Sequence, residues 1–243
     1  MNMALAMAAG AAECGIREIM CTPHHLNGVF TNLRDDILTQ IVYLQEQIIA
    51  AGLELSLHPG AELHLVPELP QQLLEGSALT YADRGCAALV ELPKSTVPQG
   101  TDLLLEQILY QGITPVIAHP ERNRELLRQP ERVGEWVQWG CALQLTAQSC
   151  SGAFGKPLQQ VCRYWCQRGW VHLVASDAHR PQGRSPDTLA AAYPTLVYWL
   201  GADSARLLTH DNPQRLLAGE ALQAAPKVIQ SARRSWWRWP WFQ

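Results

Sequence analysis

The chain has 243 residues, 47% of them hydrophobic, with 19 basic against 22 acidic side chains and a formal charge of −3. That is enough apolar material for one large domain or two small ones, which excludes disorder as the default. The near balance of charge excludes nucleic acid as the main partner.

The spacing predicts a helix over 1–14, carried by Ala4, Leu5, Met7, Ala8, Ala11 and Ala12, and then short, almost continuously apolar runs of the kind buried parallel strands show. The first run, 16–21, leads into Thr22, Pro23, His24 and His25. A helical face of Ile37, Ile41, Leu44 and Ile48 follows, then a strand over 53–57 that runs into Pro59, Gly60, Ala61 and Glu62. Strands over 87–90 and 114–118 end at Glu91 with Pro93, and at His119, Pro120, Glu121 and Arg122. The fifth strand, 142–145, leads only to Thr146, Gln148 and Ser149. After a helix with Leu158, Val161 and Trp165 on one face, the sixth strand, 171–175, ends in Ser176, Asp177, Ala178 and His179. Glycines at 15, 52, 112, 140 and 169 stand where helices stop before strands.

Strands alternating with helices make an α/β protein. No glycine-rich dinucleotide turn follows any strand, so a closed parallel barrel is expected rather than a doubly wound sheet. Such a barrel closes with about eight strands, and here the first helix runs straight into a strand. The layout therefore reads as a barrel whose first strand is missing from this chain.

Seven cysteines, an odd number with no Cys-x-x-Cys pair, predict small core hydrophobes rather than a disulfide framework. No stretch approaches the roughly 18 consecutive apolar residues of a membrane span, and residues 1–10 lack the basic start of a signal peptide. A cytoplasmic protein is expected.

Five of the six strands deliver imidazole or carboxylate to their C-terminal ends, where a barrel gathers its chemistry. Any one of these residues serves equally well as a turn or helix cap; together they suit divalent manganese, zinc or iron, and more than four ligands implies more than one ion. Arg122, three residues after His119, and Arg184, five after His179, are candidates for phosphate recognition, with Arg124 competing and surface ion pairs as the alternative.

The stretches CTPHHLNG (21–28), PGAE (59–62), VELP (90–93), VIAHPERNR (116–124) and VHLVASDAH (171–179), with Arg184 and Pro186 after the last, resemble the polymerase-and-histidinol-phosphatase (PHP) superfamily. Within it they are similar to the bacterial CpsB/CapC-type, YwqE-like manganese-dependent protein-tyrosine phosphatases, from Met1 to about Leu217. The resemblance implies a distorted (β/α)7 barrel that hydrolyses phosphotyrosine on an autophosphorylated kinase of capsular or extracellular polysaccharide export. It implies His24, Glu62, Glu91, His119, Asp177 and His179 as ligands of two or three ions, with Glu62 bridging, Arg122 and Arg184 on the phosphate, and His25 outside the set. Members open with a His-x-His strand and an Asp-Asp-Gly turn, and this chain begins after both. Two explanations stay open, a start codon recorded too far downstream or a protein that has lost two ligands. So do two alternative functions: a phosphoesterase acting on a small monoester such as histidinol phosphate, and a non-catalytic remnant that binds phosphotyrosine.

The expected division is a barrel over 1–230 and a tail over 231–243. The tail carries Arg233, Arg234, Arg238, Trp236, Trp237, Trp239, Trp241 and Phe242. Tryptophan beside arginine suits the bilayer interface, so peripheral contact with the inner membrane is one expectation, and packing on the barrel or on a second copy in a homo-oligomer is the other.

Overall fold

The computed structural model describes residues 2–25 and 28–228, so the aromatic tail lies outside the described residues. In chain order the elements are α1 (Asn2–Glu13), β1 (Glu18–Cys21), β2 (His24–His25), α2 (Arg34–Ala50), β3 (Ser56–Pro59), β4 (Glu62–His64), α3 (Leu69–Leu74), β5 (Ala87–Glu91), α4 (Thr101–Tyr110) and β6 (Thr114–Ala118). They continue with α5 (Arg124–Arg128), α6 (Arg132–Trp139), β7 (Ala142–Thr146), α7 (Ala147–Ser151), α8 (Lys156–Gln167), β8 (Leu173–Ala175), α9 (Thr188–Leu200), α10 (Ala202–Arg206) and α11 (Asn212–Ala218).

All strand pairs are parallel, in the order β2-β4-β5-β6-β7-β8, with β1 and β3 paired separately. The six strands of the sequence reading are all present, but the first two are each bent into two segments. Pro23, which has no N–H to donate, interrupts one, and Gly60 and Ala61 interrupt the other. The Glu62 amide donates to the Pro23 carbonyl at 2.9 Å across the bend. A side chain at Gly60 would lie 3.2 Å from Thr22 Cγ2 and 3.4 Å from the Cys21 carbonyl, so the glycine is what lets the two bends nest.

The strand expected over 53–57 lies later, over Ser56–Pro59. Leu53 and Leu55 instead pack with Ala8 and Ile48 beneath α1 and α2, and pairing with the first strand starts where the Ser56 amide donates to the Arg17 carbonyl. An apolar run marks burial, and burial against helices is not strand pairing.

Side-chain alternation sorts the sheet into two faces. Ala88, Val90, Ile117, Leu143, Leu145 and Val174 face the helices, where the fully buried Trp136 and Trp165 fill the layer. Each indole N–H is satisfied, on Asp102 Oδ1 at 2.8 Å and the Pro130 carbonyl at 2.9 Å. The inner face carries Ala87, Leu89, Val116, Ala118, Ala142 and Leu173, three of the six being alanines small enough to let the sheet curl, with Leu216 of α11 packed against them as a floor. Strands β2 and β8 share no ladder, yet the curl brings the rings of His24, on β2, and His179, just past β8, to 6.4 Å.

All seven cysteines are free, and Cys141, Cys150, Cys162 and Cys166 are buried. Burial pushes the Cys141 thiol up to about 12 and those of Cys162 and Cys166 well above the ordinary range. They are core hydrophobes, as expected.

Candidate metal centre and guanidinium pair

The inner-face alternation that runs Ala87, Leu89 along β5 reaches Glu91 at its end, and the ladder does the rest. His24 is the register partner of Glu62, and His64 is the partner of Glu91. Donor atoms of His24, Glu62 and Glu91 consequently lie within 4.8 Å of one another. His24 Nδ1 stands 3.4 Å from Glu62 Oε2 and 3.5 Å from Glu91 Oε2, and it is buried without making a hydrogen bond.

His119 joins from the end of β6, with Nε2 2.7 Å from Glu62 Oε1 and 3.8 Å from Glu91 Oε1. Burial lowers the pKa of this imidazole, but the hydrogen bond to Glu62 and that carboxylate's charge raise it by more, so the net shift is upward. Its backbone is left-handed, φ 33°, a conformation that costs a non-glycine residue free energy and collects at functional sites.

Asp177, past β8, shares this left-handed geometry at φ 50°. Its Oδ2 accepts from Arg122 Nη1 at 2.5 Å and from Arg184 Nη2. Its other oxygen, Oδ1, lies 3.6 Å from His179 Nδ1. The predicted residues thus fall into two neighbouring groups: His24, Glu62, Glu91 and His119 around one carboxylate centre, and Asp177, His179 and Arg184 past β8 together with Arg122 from the turn after β6, joined where His24 faces His179 across the β2–β8 gap. Both arginines are ion-paired, while Arg124 is exposed on α5.

His25 turns away and bonds the Asn32 carbonyl through Nδ1 at 2.7 Å. Glu121 is fully buried and accepts from the Thr146 amide at 3.0 Å, tying the turn after β6 to the end of β7. Sequence reasoning missed two residues at the centre. His64 puts Nδ1 3.9 Å from Glu91 Oε2 and, like His24, leaves it without a hydrogen bond; its signal was the Glu-x-His spacing, which places both side chains on one face of a strand. Phe30 stacks on the His24 ring, centroids 5.6 Å apart.

The buried His24 Nδ1, aimed at two carboxylates yet bonded to neither, is a cradle that a cation would complete. The mixture of imidazole and carboxylate without sulfur fits manganese, zinc or iron. Fold and site together define a parallel α/β barrel with a cluster of imidazole and carboxylate side chains able to hold a metal ion, and a guanidinium pair, on its C-terminal rim.

The chain belongs to the CpsB/CapC family: the family model described as capsular polysaccharide synthesis, CpsB/CapC, matches residues 1–218. The tyrosine-protein phosphatase YwqE of Bacillus subtilis is 34% identical over 220 residues, covering 90% of this chain and 85% of that protein. The tyrosine-protein phosphatase CpsB of Streptococcus pneumoniae is 30% identical over 222 residues, covering 89% and 90%. Crystal structures of these two proteins describe them as unique metal-dependent tyrosine phosphatases; a chain from that work matches with a TM-score of 0.85 at 32% identity, over 93% of this chain and 91% of that one. The resemblance read from the motifs therefore holds for family and for fold.

Proposed function

We propose that this protein is a metal-dependent tyrosine-protein phosphatase, with an autophosphorylated tyrosine kinase of capsular or extracellular polysaccharide synthesis as its substrate. The observation that carries the reading is the unbonded, buried His24 Nδ1 facing Glu62 and Glu91. The names of the relatives and the family's link to capsular polysaccharide support the substrate.

In this reading His24, Glu62, Glu91, His119, Asp177 and His179 are the residues that would hold the ions. Two or three manganese ions fit these donors, zinc and iron being the other candidates. Ions so held supply Lewis-acid polarisation of a phosphoryl oxygen and acidification of water. Arg122 and Arg184 bind and orient the non-bridging phosphoryl oxygens, since a guanidinium fork matches them. Asp177 fixes both forks in place, which spares the substrate the ordering cost.

We further propose one barrel over 1–230, a cytoplasmic location and a homo-oligomer, with the 231–243 segment meeting the inner membrane. Among the described residues no helix is long and apolar enough to cross a membrane.

The test is phosphate release by the manganese-loaded protein from a phosphotyrosine peptide, a phosphoserine peptide and histidinol phosphate. The reading predicts turnover of the first well above the other two. Preference for histidinol phosphate would move the protein to the small-monoester branch, and binding of phosphotyrosine without turnover would mark a non-catalytic remnant.

A further inference from the structure

Beside His119 a small cavity is lined by Lys94, Arg122 and Asn123. The loop that carries Lys94 is tied down from several directions. Asn123, almost fully buried, donates through Nδ2 to the carbonyls of Pro93 at 2.7 Å and Thr96 at 2.9 Å. Its Oδ1 accepts from the amides of Glu125 and Leu126, capping α5. Glu125 Oε2 accepts from the Val97 amide at 2.9 Å, and the Arg124 amide donates to the Lys94 carbonyl at 2.9 Å.

That frame presents two cations, Lys94 and Arg124, both exposed and neither paired with a carboxylate among the described residues. Elsewhere Arg34 pairs with Asp83, Arg132 with Asp102 and Glu125, and Arg215 with Glu220. The nearby acids are taken: Glu125 is held by Arg132 and the Val97 amide, and Glu121 is buried. In a chain of net charge −3, unpaired cations on a rigid loop at the edge of a phosphate site form a complementary field for an anion.

We infer that Lys94 and Arg124 form a docking surface for acidic residues flanking the phosphotyrosine of a peptide substrate. The inference rests on the phosphatase reading above and adds to it the chemistry of the sequence around the target. An extended peptide advances about 3.3–3.6 Å per residue, so side chains one to three positions from the phosphotyrosine reach a rim that shares its cavity with Arg122. Arg122, fixed by Asp177 and assigned above to the phosphoryl oxygens, leaves the flanking charges to the other two cations.

The experiment is equilibrium binding of the full, manganese-loaded chain to two peptides carrying a non-hydrolysable phosphonate analogue of phosphotyrosine, one flanked by glutamates and one by serines. The wild-type protein should prefer the acidic peptide by about fivefold at low salt, the product of two exposed ion pairs. The preference should fall below about twofold at high salt and in the Lys94→Ala, Arg124→Ala double variant, and Lys94→Arg should keep it. Equal binding of both peptides by wild-type protein, or a preference that survives the double variant, overturns the docking surface alone. Wild-type protein that binds neither peptide overturns the phosphatase reading and the docking surface with it.

Discussion

His24 and Glu62 are register partners on adjacent strands, and that pairing brings His24 Nδ1 to 3.4 Å from Glu62 Oε2 while His119 takes the other carboxylate oxygen at 2.7 Å. Glu91 also lies near both imidazoles, at 3.5 and 3.8 Å, but Glu62 is the closer to each and the one hydrogen-bonded to His119. Glu62→Gln keeps the shape and one acceptor but loses the charge. It should weaken manganese binding by more than about 100-fold and abolish turnover, while changing stability by less than about 1 kcal/mol. Calorimetric titration with manganese, alongside a urea melt, checks both halves.

Asp177→Asn removes the charge that holds the guanidinium pair and that the proposed metal ligand Oδ1 shares, while asparagine accepts the left-handed backbone as readily as aspartate. The Asp177 side chain is 13% exposed and the two arginines 21% and 27%, so the cost in stability should be about 1–2 kcal/mol, below that of breaking a fully buried pair. Turnover should fall at least about 100-fold. A variant that keeps wild-type turnover would mean that Asp177 neither holds an ion nor fixes forks that orient substrate.

His172 predicts an acid limit that has nothing to do with the site. Burial pushes its pKa down to about 4, against a smaller opposing effect of a hydrogen bond to the Trp170 backbone, and Nδ1 accepts from the Leu143 amide, which requires it to be unprotonated. The unfolded chain takes up this proton near pH 6.5 and the folded one only near 4, so stability is intact above 6.5 and falls as pH drops between the two. The loss should reach about 3 kcal/mol. Urea midpoints from pH 7 to 4 should follow this slope, and His172→Gln should flatten it.

Gly134 lies in α6 against the Trp170 indole. A Cβ there would sit 2.5 Å from Cζ2 and 2.8 Å from two further ring atoms. Gly134→Ala should therefore destabilise by about 1–3 kcal/mol, although alanine is the better helix former. Thermal melts decide the sign: if the propensity gain wins, the variant is the more stable one.

The barrel was legible in the sequence because its six strands are short apolar runs with glycine after the preceding helices. The kinks at Pro23 and Gly60 were not, since β2 and β4 are two and three residues long and carry His24, Glu62 and His64, residues that read as loop. The cluster of His24, Glu62, Glu91 and His119 could be anticipated because each stands just past a run that reads as a strand. What no spacing reveals is that Asp177 and Arg122, 55 residues apart, meet over the end of β7, from the turns after β8 and β6. Their contact depends on how far the sheet curls, and the curl is set by small inner-face residues such as Ala87, Ala118 and Ala142.

The most direct test of the central claim is phosphate release from a phosphotyrosine peptide by protein stripped with a chelator, before and after manganese is returned. The account predicts negligible release from the stripped protein and recovery once manganese occupies the centre around Glu62. Undiminished release in the presence of chelator, or no release with manganese bound, would contradict it.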